Sequence, residues 1–421
     1  MTTGKTDRDF HSSRRGVPAS PSSCYDAAMS ITVTIGLERA ATEIPADLRH
    51  ARVGLLSHQA SVDGGLRDAA EVLTTTTGLQ LHALFSPQHG FWGEEQANMI
   101  ETPHGRHSRF PTLPLYSLYS ETRRPTPVML EGLEAFVIDL SDVGTRVYTY
   151  AWTVVHCLEA CAERGLPVVL LDRPNPLGGL VTEGPLLEPG YESFVGRLAI
   201  PMRHGLTLGE LALMANSELG IGAALHVVPV AGWPRAALWE DLGRPWVPPS
   251  PNLPTFRSAL VYPGQVLLEG TNLSEGRGTT TPFEVVGAPF IDPYRLAGML
   301  QEQSLPGVTF RPLRFRPTFD KWAGISCGGV MLHVTDPPGF RPYWTTLVIL
   351  AAVKSLWPRE FAWRPPPYEY ERERWPIDIL SGSSRLREWL DGLHAFEPPP
   401  VFMADVPGGE AWSQRVQRLY V

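Results

Sequence analysis

Residues 135–176 read AFVIDLSDVGTRVYTYAWTVVHCLEACAERGLPVVLLDRPNP. An apolar run, Ala135-Phe136-Val137-Ile138, stops at the polar cluster Asp139-Leu140-Ser141-Asp142-Val143-Gly144. A helical segment follows over about 148–163, and a second apolar run, Val168-Val169-Leu170-Leu171, stops at Asp172-Arg173-Pro174-Asn175-Pro176. Short, continuously apolar strands separated by helices predict parallel pairing in a sheet covered on both faces. Such sheets collect ligands beyond the carboxyl ends of their strands.

The same alternation extends outward. A strand at 53–56 ends in Ser57-His58-Gln59, a helix covers 66–73, and a strand at 79–85 ends in Ser86-Pro87-Gln88-His89-Gly90. A helix at 206–219 and a strand at 225–230 follow. Beyond Trp233 the texture changes. Pro245, Pro248, Pro249, Pro251 and Pro254 mark an extended connector. Strands at 314–319 and 330–334 and helices at 345–357 and 384–393 then predict a smaller α+β domain. The expected fold class is α/β, with a parallel-sheet domain over 29–245 and the smaller domain over 246–421. Residues 1–28 are polar and read as a disordered extension or a mis-assigned start, with the first apolar alternation, 31–35, following Met29.

Composition excludes several function classes. The 421 residues carry 36 basic and 44 acidic side chains, a net charge of −8 with no run of five like charges. That argues against a nucleic-acid arm or a polybasic membrane patch. No stretch of 18 apolar residues predicts a membrane span, and no signal peptide is visible, so the cytoplasm is the expected location. Cys24, Cys157, Cys161 and Cys327 form no CxxC pattern and read as reduced thiols. Walker, GxGxxG, HExxH and GxSxG signatures are missing. His104 and His107 read as loop residues rather than metal ligands.

Polar residues at the strand ends exceed what turns require. Gln88 and His89 sit in a turn fixed by Pro87 and Gly90, which would present an amide and an imidazole at the sheet edge. Asp139, Asp142 and Arg146 suit an electrostatic role or a salt bridge equally well. Arg173 and Asn175 lie on a loop stiffened by two prolines. Arg203 and His204 precede a helix start, where an anionic group would be favoured. The densest cluster, residues 269–281, holds Glu269, Asn272, Glu275 and Arg277 with three glycines that would let backbone approach a ligand.

These motifs carry a resemblance. SPQHGFWGEEQ (86–96), PLYSLYSETRRPTPVML (114–130), DLSDVGTRVYTYAWT (139–153) and VVLLDRPNPLGG (168–179) resemble the NamZ-type exo-β-N-acetylmuramidases of bacterial cell-wall turnover. EGPLLEPGYESFVGRLAIPMRHGLTLGELA (183–212), WVPPSPNLPT (246–255) and YPGQVLLEGTNLSEGRGTTTPFEVVGAPFID (262–292) extend the match to roughly residues 50–390. The resemblance implies a Rossmann-like N-terminal domain and a cleft against the smaller one. It also implies hydrolysis of non-reducing terminal N-acetylmuramic acid from peptidoglycan fragments, with no metal or organic cofactor. One departure stands out: the family pattern usually reads Pro-Glu-His-Gly where this chain has Pro87-Gln88-His89-Gly90, and glutamine carries no exchangeable acid. Glu94 or Glu95 could take over, or the acid lies elsewhere.

Glycoside hydrolysis pairs an acid that protonates the leaving oxygen with a second carboxylate, which a substrate's own 2-acetamido group can replace. Glu269 and Glu275 are the first candidates for acid/base and Asp142 for the stabilising carboxylate, with Gln88 and His89 beside them. Arg146, Arg203 and Arg277 suit a clamp on the lactyl carboxylate. Asn175, Asn272 and His89 suit hydroxyl or acetamido groups, and Tyr148, Arg173 and His204 complete the expected binding set. A saccharide-binding protein without catalysis, or a hydrolase of another acidic glycan, would use the same clamps.

Overall fold

The computed structural model describes Met1 and residues 31–97, 99–407 and 409–419. Expectations for residues 2–30, Met29 and Cys24 included, lie outside them. The first half runs α1 (Gly36–Glu43), β1 (Arg52–Leu56), α2 (Ala69–Thr76), β2 (Gln80–Ser86), β3 (Gly105–His107) and β4 (Phe110–Ser117). It continues through β5 (Ala135–Ile138), α3 (Tyr150–Ala162), β6 (Val168–Leu171), α4 (Leu208–Glu218) and β7 (Leu225–Val228). The second half holds α5 (Phe256–Gln265), β8 (Val285–Ala288), α6 (Pro293–Glu302), β9 (Val308–Phe315) and β10 (Cys327–Val334). α7 (Pro342–Leu356), α8 (Pro376–Ser381), α9 (Arg385–Asp391) and α10 (Gly409–Gln417) complete it.

Seven strands form one sheet in the order β3-β4-β2-β1-β5-β6-β7. All its pairs are parallel except β3 with β4. The apolar runs are buried because alternate side chains serve opposite faces. Phe136, Ile138, Val168 and Leu170 pack with Trp152 and Val155 of α3 and Leu211 of α4. Ala135, Val137, Val169 and Leu171 pack with Leu37 of α1 and Val72 of α2. Strand order changes direction between β1 and β5, so the loops after them diverge and open a crevice at the carboxyl edge. This is the α/β, Rossmann-like arrangement expected, with the second, antiparallel sheet β8-β10-β9 beside it.

Several boundaries differ from expectation for local reasons. α2 starts at Ala69, not 66, because the Asp68 carboxylate accepts the Glu71 N–H at 2.8 Å and caps the helix there. Thr207 and Glu210 cap α4 reciprocally. The loop expected around His104 and His107 is instead the β3–β4 hairpin, with His107 buried against Phe91, Trp92 and Phe110. The strand expected at 314–319 is β9, ending at Phe315; its Pro312 is tolerated because β9 is an edge strand. The connector at 245–254 is held by its carbonyls: Gln59 donates to Pro248 O at 2.9 Å and Tyr150 to Pro249 O at 2.8 Å.

The two halves share a hydrophobic cluster that runs from Phe85 and Trp152 to Leu350 of α7. α5 and α7 touch directly: a Cβ on Gly264 would lie 1.9 Å from the Pro342 carbonyl oxygen. Cys157, Cys161 and Cys327 are buried and, among the described residues, unpaired. Among the described residues, no helix is long and apolar enough to cross a membrane, and no group of three or more His, Cys, Asp or Glu side chains could hold a metal.

Candidate active site

The turn after β2 places His89 and Gly90 at φ 74° and 80°, so the chain reverses and Gln88 and His89 turn inward. Both are buried. Gln88 Oε1 accepts the Thr149 hydroxyl at 2.7 Å, just before α3, which fixes the amide with its NH2 facing the second half. His89 Nδ1 lies 2.7 Å from the Glu95 carbonyl oxygen, so Nδ1 carries the proton and Nε2 is an acceptor. Burial pushes the His89 pKa down to about 4, leaving a neutral ring that cannot act as an acid at neutral pH.

The turn after α5 brings Glu269 to the same place. Arg277 Nη2 donates to Glu269 Oε1 at 2.7 Å and the Tyr368 hydroxyl to Oε2 at 2.7 Å. Burial alone would raise this carboxyl, but the Arg277 charge, these two hydrogen bonds and Lys321 outweigh it and hold Glu269 below the usual carboxylate range. Tyr368 belongs to a tight turn closed by reciprocal 2.9 Å hydrogen bonds between Tyr368 and Glu371. Its central residues, Glu369 and Tyr370, lie at φ 42° and 71°. Glu369 is buried against Gln88 and Tyr119. Gln88, His89, Tyr148, Thr149, Ser250, Tyr262, Glu269, Arg277, Tyr368 and Glu369 thus line an open cavity of about 410 Å³ between the halves.

Of the sequence-derived candidates, the cavity gathers Gln88, His89, Tyr148, Glu269 and Arg277. Glu275 stands behind Arg277, within 3.2 Å of its Nε and 2.6 Å from Lys321 Nζ, and does not line the cavity. The glycines of this loop serve packing, not ligand approach: a Cβ on Gly276 would meet Val285 at 2.4 Å, and one on Gly278 the Phe319 nitrogen at 2.7 Å. Asn272 is spent on the Glu360 carbonyl and the Ala362 N–H.

Arg146 lies outside the lining of this cavity. It donates to the carbonyls of Pro185, Ile200 and Leu380 at 2.7–3.0 Å, tying two loops to α8. Arg203 donates to Leu177 O, Asn175 bridges Leu177 N and Leu206 O, and His204 Nδ1 accepts Leu206 N. Arg173 forms a two-pronged ion pair with Asp139. Glu94 is exposed and Glu95 contributes its carbonyl, so neither carboxylate enters the cavity. Asp142 lines a separate cavity with Arg173, Trp239 and Trp246. Its Oδ2 accepts Gly144 N at 2.7 Å, its Oδ1 has no partner among the described residues, and burial pushes its pKa up to about 7.

Sequence reasoning passed over Tyr119, Thr149, Tyr262, Tyr368 and Glu369. The available signal was Pro365-Pro366-Pro367-Tyr368-Glu369-Tyr370-Glu371, a proline-stiffened run that alternates rings with acids. It follows no strand, so a search of strand ends missed it.

Fold and site together define a Rossmann-like protein whose carboxyl-edge crevice is completed by a second α+β layer carrying paired carboxyl groups. Residues 53–257 match the family model "Exo-beta-N-acetylmuramidase NamZ, N-terminal" and residues 260–420 the corresponding C-terminal model. The chain belongs to the NamZ family. It is 43% identical over 348 residues to the peptidoglycan beta-N-acetylmuramidase NamZ of Bacillus subtilis (strain 168), covering 82% of each chain. Two DUF1343 family proteins from Bacteroides fragilis NCTC 9343 share the fold. One has 32% identity and a TM-score of 0.82, covering 93% of this chain and 99% of that one. The other has 28% identity and a TM-score of 0.66, covering 92% and 96%.

Proposed function

We propose that this chain is a glycoside hydrolase that removes non-reducing terminal N-acetylmuramic acid from peptidoglycan fragments. The observation that carries the reading is Glu269, held ionised by Arg277 and Tyr368 inside a polar cavity shared by both halves. Hydrolysis of a glycoside builds positive charge at the anomeric carbon, and an ionised carboxylate stabilises that charge as nucleophile or counter-ion, or through the substrate's own acetamido group. Arg277 lines the same cavity and its buried Nη1 has no hydrogen-bond partner among the described residues, which suits an anionic or carbonyl group of the substrate. His89 Nε2 supplies an acceptor for a sugar hydroxyl. A cytoplasmic role in recycling is consistent with three buried, unpaired thiols.

The test is release of free N-acetylmuramic acid from a MurNAc-β-1,4-GlcNAc disaccharide by the purified chain, with Glu269→Gln alongside. Turnover that the variant loses supports the reading. Calorimetric binding of the disaccharide without turnover would replace it with a saccharide-binding protein.

A further inference from the structure

We propose that Glu369 is the proton donor of this hydrolysis, a catalytic residue supplied by the second half of the chain and aimed by the Gln88 amide. The inference rests on the activity proposed above.

Three geometric facts support it. Glu369 is buried in the cavity wall. It occupies a turn in which it and Tyr370 both adopt left-handed backbone, a conformation that costs a non-glycine residue about 1–2 kcal/mol and that clusters at functional sites. Both carboxyl oxygens are engaged: Tyr119 donates its hydroxyl to Oε2 at 2.8 Å, and Gln88 Nε2 donates to Oε1 at 3.3 Å. The Thr149 hydroxyl on Gln88 Oε1 leaves the amide only its donor for Glu369. Gln88 therefore orients an acid without being one.

The charged and titratable groups facing Glu369 are Tyr119 and Arg123 from the segment after β4, Tyr262 and Glu269 from α5 and its following turn, and Tyr368 from its own turn. Burial, joined by the Glu269 charge, pushes Glu369 up to about 7 against the pull of Tyr119, Gln88 and Arg123. Two carboxyls in one cavity thus sit in opposite states, the arrangement that separates acid from charge stabiliser. In the step, the Glu369 carboxyl gives its proton to the glycosidic oxygen as the C1–O bond breaks, and the bonding pair leaves with that oxygen. Water then bonds to C1, and its surplus proton restores the carboxyl pair.

The experiment compares Glu369→Gln with wild type on two substrates: the disaccharide, whose sugar alkoxide needs a proton to depart, and 4-nitrophenyl β-N-acetylmuramide, whose phenolate does not. For Glu369→Gln we expect a roughly 10²–10⁴-fold loss on the disaccharide and less than about tenfold on the aryl substrate. Equal losses on both, or turnover retained on both, overturn the proposal. If the wild type cleaves neither, the activity reading itself falls and takes the proposal with it. Tyr119→Phe provides a second readout. It removes a hydrogen bond that favours the ionised carboxyl, so the alkaline limb of kcat/KM moves to higher pH; an unmoved limb overturns the assignment.

Discussion

Asp142 and Glu269 are both buried carboxyls, and their neighbours send them opposite ways. Glu269 faces a guanidinium and a phenol, whereas Asp142 has, among the described residues, only the backbone N–H groups of Gly144 and Val143 to favour its charge. Asp142 binds its proton more tightly folded, at about 7 against 3.8. Its contribution to stability therefore falls as pH rises between those values. Asp142→Asn keeps an oxygen for Gly144 N and removes the buried charge. Melting curves at pH 8 are expected to show it stabilised by roughly 1–3 kcal/mol, the gain vanishing near pH 4, with disaccharide turnover little changed. A collapse in turnover would return Asp142 to the chemistry. Such distinctions were only partly legible in the sequence. The residue types at 88, 89, 269 and 277 marked the cavity, because a strand end or a glycine-rich loop exposes polar groups there. Arg146 and Arg203 look the same in sequence but aim terminal donors at backbone carbonyls, a difference set by contacts 26 to 234 residues away.

At the scale of elements, the parallel strands were the readable part, since four consecutive buried apolar residues have few alternatives. A breaker inside an element hid or displaced it: Pro263 in α5 and Pro312 in β9, whose strand was expected only from 314, interrupt patterns that tertiary contacts restore. α5 matters because the turn after it delivers Glu269. It is seated by the close approach of Gly264 to Pro342 at the start of α7. Gly264→Ala leaves no room for its methyl group, and we expect a destabilisation of about 3 kcal/mol, measured as a lowered Tm. Any surviving folded protein would show reduced kcat with Glu269 displaced. Unchanged stability would mean the two helices can separate freely.

Across the whole molecule, the cavity draws Gln88, His89, Tyr148 and Thr149 from the seven-stranded half, and Glu269, Arg277, Tyr368 and Glu369 from the other. No single stretch of sequence could display it, since positions 88 and 369 meet only after both halves have folded. The ion-paired group at its centre has one further consequence. Glu269 and Glu275 are matched by Arg277 and Lys321, two negative charges against two positive ones. With His89 neutral and Glu369 protonated, these charges cancel, and Arg123 beside Glu369 is matched by Glu101. The field that remains is that of the chain's net charge of −8, which repels an anionic sugar acid, so kcat/KM should rise modestly, by less than about threefold, between 0.05 and 0.5 M salt at pH 6. Above pH 7 the balance tips to a single net negative charge. Ionic strength should then accelerate the reaction more steeply, by masking the added repulsion between the cavity and its own substrate.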